Sequence, residues 1–262
     1  MTPLLTDQPP SLETLPAYGL LLLAGMGAGA LNAVAGGGTL ISFPALMAVG
    51  VPPVMANASN SVALWPGAVA SAVGFLTQLQ PVQHHLKRLW LPTLVGALLG
   101  AWLLVSTSER TFQVAIPVLL GLATVLLAFQ PHIKQWSTHH RGQLVGSGSV
   151  LAQGLVSVYG GYFGAGMGIL MLAVLGTMAE GTLHQLNALK SWLGLLINLC
   201  ASIFFLSMGL LWWWPSLAVM VGAVLGGFIG ARLSQRINPE QLRKAIVGLG
   251  LLMTLYYGRR AL

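Results

Sequence analysis

A lone lysine inside an apolar run is the residue whose chemistry most needs explaining. Lys190 sits among Leu186, Leu189, Trp192 and Leu193. An ammonium at membrane depth is costly and marks a functional site unless it snorkels out to the headgroups. No acidic residue lies in the middle of any apolar run, and the nearest, Glu180, falls in a connecting loop. An anionic substrate is then the natural counter-ion. Asn187 stands three residues before Lys190 and shares its helix face. Asn57 and Asn60 hold the same places 130 residues earlier, and Ser59, Ser61 and Ser191 add hydroxyls. Together these groups supply hydrogen-bond donors without a second charge. The plainer role for one membrane asparagine is a bond between helices; several at matching places favour a polar cavity.

Donors of this kind need a scaffold, and two glycine breaks supply one. Gly36, Gly37 and Gly38 interrupt an apolar run in the first half, and Gly160, Gly161, Gly164, Gly166 and Gly168 do so in the second. Backbone polar groups cannot stay unpaired in hydrocarbon, so a broken helix survives only when buried in protein or lining a cavity. The amides freed at the start of each following half-helix form an anion site. The simpler reading is that the glycines allow bends and tight packing. Tyr159 and Tyr162 flank the second break and are placed either to line the cavity or to anchor at an interface. His184, beside Glu180, is the one helix-end group that titrates near neutral pH, which makes it a candidate for proton coupling.

The stretch around the first break returns 130 residues later. Gly36, Gly38 and Leu40 fall on Gly166, Gly168 and Leu170, and Asn57, Ala58 and Ser61 fall on Asn187, Ala188 and Ser191. Further on, the 95–100 stretch VGALLG resembles the 221–226 stretch VGAVLG. Paired, interrupted apolar segments in two halves point to a transporter's substrate site.

Composition fixes the solvent. The 262 residues are 55% hydrophobic and 6% charged, against about 25% charged in a soluble domain. So few charges cannot cover a water-soluble fold, and the chain reads as an all-α polytopic membrane protein. The net charge of +7 does not suggest nucleic acid, because the basic residues sit in short loops between apolar runs. The lone Cys200 lies in an apolar run, which leaves no disulfide and no cysteine-based metal site. Residues 1–14 read as a short polar lead rather than a cleaved signal, since they carry Asp7 and Glu13 and lack a basic flank.

A spanning helix takes about 20 apolar residues. The apolar runs are roughly 15–34, 39–50, 56–79, 89–106, 112–129, 144–161, 166–178, 184–209, 211–231 and 242–257. The second and seventh are too short to span and read as half-helices or re-entrant arms; the remaining eight read as full spans. Ten segments put Lys87 and Arg88, Lys134 and Arg141, and Arg232, Arg236, Arg243 and Lys244 on one side, which is then cytoplasmic. Both termini face outward, with only Arg259 and Arg260 against the rule. The expected organisation is two inverted-topology repeats of five segments, 15–129 and 144–262, joined by a cytoplasmic loop at 130–143. The loop histidines His132, His139 and His140, and likewise His84 and His85, read as solvated or at a headgroup surface rather than as a metal tract. Trp212, Trp213 and Trp214 read as an interfacial belt. Pro44, Pro52, Pro53, Pro66, Pro92 and Pro117 mark kinks or helix starts.

NAVAGGGTLISFPALMAVGVPPVMANASNSVALWPG in the first half, with YGGYFGAGMGILML and LNALK in the second, resembles the TauE/SafE sulfite exporter family, also called the toluene-sulfonate uptake permease family. The likeness covers nearly the whole chain. It implies a bacterial inner-membrane carrier for small anions such as sulfite, sulfonates and sulfoacetate-like acids, with no cofactor. The positions matching the family are Gly36, Gly37, Gly38, Pro44, Gly50, Pro52, Ala56 and Ser59, then Gly160, Gly161, Gly164, Gly168, Asn187 and Lys190. Ser59 stands where many relatives carry Thr, which keeps the hydroxyl.

The reading is a secondary transporter working by alternating access, with the anion held between the two breaks by Lys190, Asn57, Asn60 and Asn187. Export is preferred on the family's name alone. The alternatives are an uptake permease for an organosulfonate or carboxylate, and an anion channel. An enzyme is not expected: five acidic residues scattered over loops and termini offer no converging catalytic set. The expected partners are a small anion and the bilayer, with room for proton or ion coupling and for a homodimer.

Overall fold

The computed structural model describes residues 7, 10–11, 13–34, 37–140, 147–178, 181–233 and 239–261. All regular structure among them is helical: α1 (Leu15–Val34), α2 (Thr39–Ala48), α3 (Pro53–Ala63), α4 (Trp65–Gly74), α5 (Leu76–Leu79), a 3₁₀ turn (Gln80–Val82), α6 (Gln83–Ser106), α7 (Glu109–His139), α8 (Ser147–Tyr162), α9 (Met167–Met178), α10 (Leu183–Ser207), α11 (Trp213–Leu233) and α12 (Pro239–Ala261). Among the described residues four stretches are long and apolar enough to cross a bilayer, Leu15–Asn32, Leu76–Ser106, Glu109–Ile133 and His184–Ser207. The protein is a multi-pass α-helical membrane protein.

Helix ends follow local chemistry. Ser108 caps α7 by accepting from the Thr111 amide, and Thr182 with Gln185 forms a reciprocal capping box at α10. Two acids are spent on helix starts, where the helix dipole favours negative charge. The Glu109 carboxylate accepts from the Val54 amide at 3.1 Å, and Asp7 accepts from the Trp214 amide at 3.3 Å.

Two expectations need correction. The apolar run 56–79 is not one helix: it breaks at Leu64 and again at Phe75. Pro66, in the first turn of α4, has no amide hydrogen to donate back, and its ring clashes with a continuing helix. The stretch 130–143 is not simply a polar loop either, since α7 continues to His139. Its histidines turn back on their own helix, with ring nitrogens of His139 and His140 each 2.9 Å from the Gln135 and Trp136 carbonyls. Arg141 and Arg236 lie outside the described residues.

Helix pairing crosses the middle of the chain. α1 packs on α11, α6 on α8, and α7 on α12. A β-carbon on Gly25 or Gly29 of α1 would strike the Val219 or Ala223 carbonyl, and one on Gly222 or Gly226 of α11 would strike that of Leu22 or Met26. The α6–α8 seam is built the same way, with Gly96 and Gly100 against Gly154 and Val158, and Gly161 against Ala97. Lipid tails are as apolar as side chains, so close packing of small residues is what favours helix on helix here. The core gathers around three aromatic rings. Phe43 of α2 and Phe163 after α8 meet edge to face at 5.3 Å, and Phe112 of α7 stands 6.4 Å from each. Phe43 and Phe163 thus join the helix that follows the first glycine break to a residue at the second.

Candidate functional site

At the first break the described chain resumes at Gly37, whose φ of 102° lies in the left-handed region that glycine adopts without strain. The Gly38 amide donates to the Asn32 side chain at 2.8 Å, so the last turn of α1 caps the start of α2. Ser42 donates to the Gly38 carbonyl at 3.1 Å and also bonds the Asn60 amide oxygen. The Asn60 nitrogen reaches Thr39 Oγ1 at 3.4 Å. Asn60, only 2% exposed, therefore uses both ends of its amide to tie α3 to the break.

The second break lies between α8 and α9, where Gly164 and Gly166 both take positive φ, 77° and 75°. Its carbonyls are gathered by side chains. Tyr159 donates its hydroxyl to the Ala165 carbonyl at 2.6 Å, and Asn57 of α3 donates to the Tyr162 carbonyl at 2.8 Å. A carbonyl only accepts, so the Asn57 nitrogen must face Tyr162 and its oxygen must point away. Among the described residues no donor reaches that oxygen, although Asn57 is 1% exposed.

Lys190 lies against the same break. A β-carbon on Gly168, the second residue of α9, would stand 3.6 Å from Lys190 Cδ. The lysine stem thus runs over the start of α9, flanked on α10 by buried Leu186, Leu189 and Leu193. Among the described residues Lys190 has neither a hydrogen-bond partner nor an ion-pair partner; the salt bridge found is Glu240–Lys244 at 2.9 Å. A cation against a helix start, with no carboxylate among the described residues to neutralise it, is electrostatically suited to an anion.

The structure sorts the expected site residues into two neighbouring groups. Gly38 and Asn60 meet at the first break; Asn57, Tyr162, Gly164, Gly166, Gly168 and Lys190 meet at the second. Asn187 sits partly buried on α10, one turn before Lys190. Ser61 donates to the Asn57 carbonyl at 3.0 Å, and Ser191 pairs with Ser71 of α4 at 3.0 Å. Ser59 turns elsewhere, accepting from the Trp212 amide at 3.1 Å. The Tyr162 ring packs on Phe112 with centroids 5.7 Å apart. Gly36 and Glu180 lie outside the described residues. Asn32, Thr39 and Ser42 were not singled out by sequence; the signal available for them was three polar side chains within four residues of a glycine break. No group of three His, Cys, Asp or Glu residues able to hold a metal occurs among the described residues.

The family model described as Sulfite exporter TauE/SafE matches residues 21–257. A probable membrane transporter protein of Haemophilus influenzae is 27% identical over 90% of this chain and 92% of its own length. Probable membrane transporter protein YfcA of Escherichia coli K12 is 26% identical, over 90% of this chain and 87% of its own length. Probable membrane transporter protein ORF9 of a Sinorhizobium species is 25% identical, over 87% of each. No solved structure matches. The chain belongs to the TauE/SafE sulfite exporter family of membrane transporters.

Proposed function

We propose that this TauE/SafE family member is a secondary transporter moving a small organic or sulfur-containing anion, of the sulfite, sulfonate or sulfoacetate type, across the bacterial inner membrane, in the direction of export. The observation that carries the reading is Lys190 lying against Gly168 at a glycine break, with no carboxylate partner among the described residues. The anion would be the missing counter-charge, held by the Lys190 ammonium and by donors of Asn187 and the α9 start.

Alternating access accounts for the burial. Asn57, Ser59 and Asn60 are at most 2% exposed, so neither aqueous side reaches them in this conformation. The reciprocal pairing of α1 with α11 and α6 with α8, through glycines on both seams, supports two inverted repeats of five segments with about eight full spans. Rocking one repeat on the other would open the breaks to each side in turn. The basic residues Lys87 and Arg88, which lie on the first two turns of α6 and not in a loop, and the α12 start favour a cytoplasmic placement for those ends, with both termini periplasmic.

The test is a melting-temperature screen of purified protein against sulfite, sulfate, thiosulfate, small sulfonates, sulfoacetate and simple carboxylates. A ligand that binds only the folded state raises the midpoint by mass action. One anion class should stabilise the wild type and fail to stabilise Lys190→Ala. Equal shifts in both proteins would remove Lys190 from the site, and no shift with any anion would contradict anion transport.

A further inference from the structure

We infer that the groove between the start of α6 and the middle of α10 binds an anionic phospholipid. The groove has a volume of about 330 Å³ and is lined by Leu86, Lys87, Trp90, Trp192 and Leu196. Its walls are apolar except for Lys87, an exposed residue of the kind that lays its stem on apolar surface and keeps its ammonium in water. Lys87 has no hydrogen-bond or acidic partner among the described residues. Its neighbours in the first two turns of α6 are His84, His85 and Arg88, so the titratable groups on this helix end are basic or neutral.

Among the described residues Asp7 caps α11, Glu109 caps α3 and Glu240 pairs with Lys244. The rim therefore asks for an anion, while the walls ask for hydrocarbon. A peptide would leave unpaired backbone groups against an apolar wall at membrane depth. A phospholipid of negative headgroup meets both demands: phosphate beside Lys87, an acyl chain over Leu86, Trp90, Trp192 and Leu196. The setting fits, because α6 continues the long apolar stretch from Leu76 and its basic end belongs at the interface, where tryptophan is enriched. Trp192 lies two residues from Lys190 on α10, so the bound lipid would touch the helix that carries that lysine.

Native mass spectrometry of the detergent-purified full chain tests this, with phosphatidylglycerol, phosphatidylcholine of the same acyl chains, and glycerol phosphate as a headgroup without chains. Phosphatidylglycerol should be retained over phosphatidylcholine, and Lys87→Gln should lower its retention roughly fivefold, the effect of removing one basic residue at an anionic surface. Lys87→Arg should keep it. Trp90→Ala should weaken both lipids, and glycerol phosphate should not be retained. Lys87 and Trp90 are exposed, so these variants should keep the wild-type melting temperature in detergent. Equal retention of the two lipids, a preference unchanged in Lys87→Gln, or retention of glycerol phosphate as tight as the lipid overturns the inference.

Discussion

The stem of Lys190 crosses Gly168, with Cδ 3.6 Å from the place of a β-carbon on that glycine. The corresponding pair 130 residues earlier is Asn60 and Gly38, and there Ser42 bridges the two. In both halves the same helix position serves the same break, once with a neutral amide and once with a cation. The side-chain distance makes a graded prediction. Gly168→Ala adds a methyl at ordinary contact and a better helix former, so its melting temperature should match or slightly exceed the wild type. Gly168→Leu would push the lysine aside and should abolish transport while leaving a folded protein. Equal transport in both variants, measured in proteoliposomes, would separate Lys190 from the break.

Asn57 joins α3 to the far break through the Tyr162 carbonyl. Removing the donor in Asn57→Ala leaves that carbonyl without its side-chain partner in a buried setting, which costs about 1–3 kcal/mol. An ionised Asn57→Asp side chain can only accept, so it should destabilise more than alanine. Thermal unfolding in detergent gives the ranking; an aspartate variant as stable as wild type would contradict the bond.

The two glycine seams predict matched damage. Gly100→Leu and Gly226→Leu each drive a side chain into a facing backbone carbonyl, of Val158 and Met26. Each should cost at least the 1–3 kcal/mol typical of overpacking, read as a lower melting temperature or lost folded yield. Gly248, with nothing within 4 Å of its β-position, is the control and should tolerate leucine.

Acidic residues should divide by partner: Glu109 and Glu240 are both exposed, but only Glu109 accepts from the amide of another helix's start. Glu109→Gln removes charge from the start of α3 and should cost about 0.3–1 kcal/mol, less at high salt. Glu240 forms an exposed i,i+4 pair with Lys244, which holds its carboxyl below the usual range, yet Glu240→Gln should leave the melting temperature unchanged. A larger effect at Glu240 than at Glu109 would reverse the assignment.

Much of this was legible in the sequence because glycine and lysine carry strong physical meaning in hydrocarbon. The breaks, the short α2 and α9, and the placement of Lys190 beside one of them follow from that alone. The break of the third run at Leu64 was less legible, since an apolar run hides a kink unless Pro66 is weighted over hydropathy. The helix through 130–139 was missed because polar residues were read as loop: α7 runs on through Pro131, and His139 and His140 bond carbonyls of their own helix. The caps by Asn32 and Ser42, and the crossing bond of Asn57, depend on which side chain reaches which backbone atom, and spacing alone does not encode that.

The central claim is that Lys190 supplies the charge that a transported anion neutralises. Efflux of the anion that stabilises the purified protein, from proteoliposomes carrying wild type, Lys190→Ala or Lys190→Arg at matched folded protein, tests it most directly. The account predicts no efflux above empty liposomes for Lys190→Ala and partial recovery for Lys190→Arg. Efflux by Lys190→Ala at the wild-type rate would contradict it.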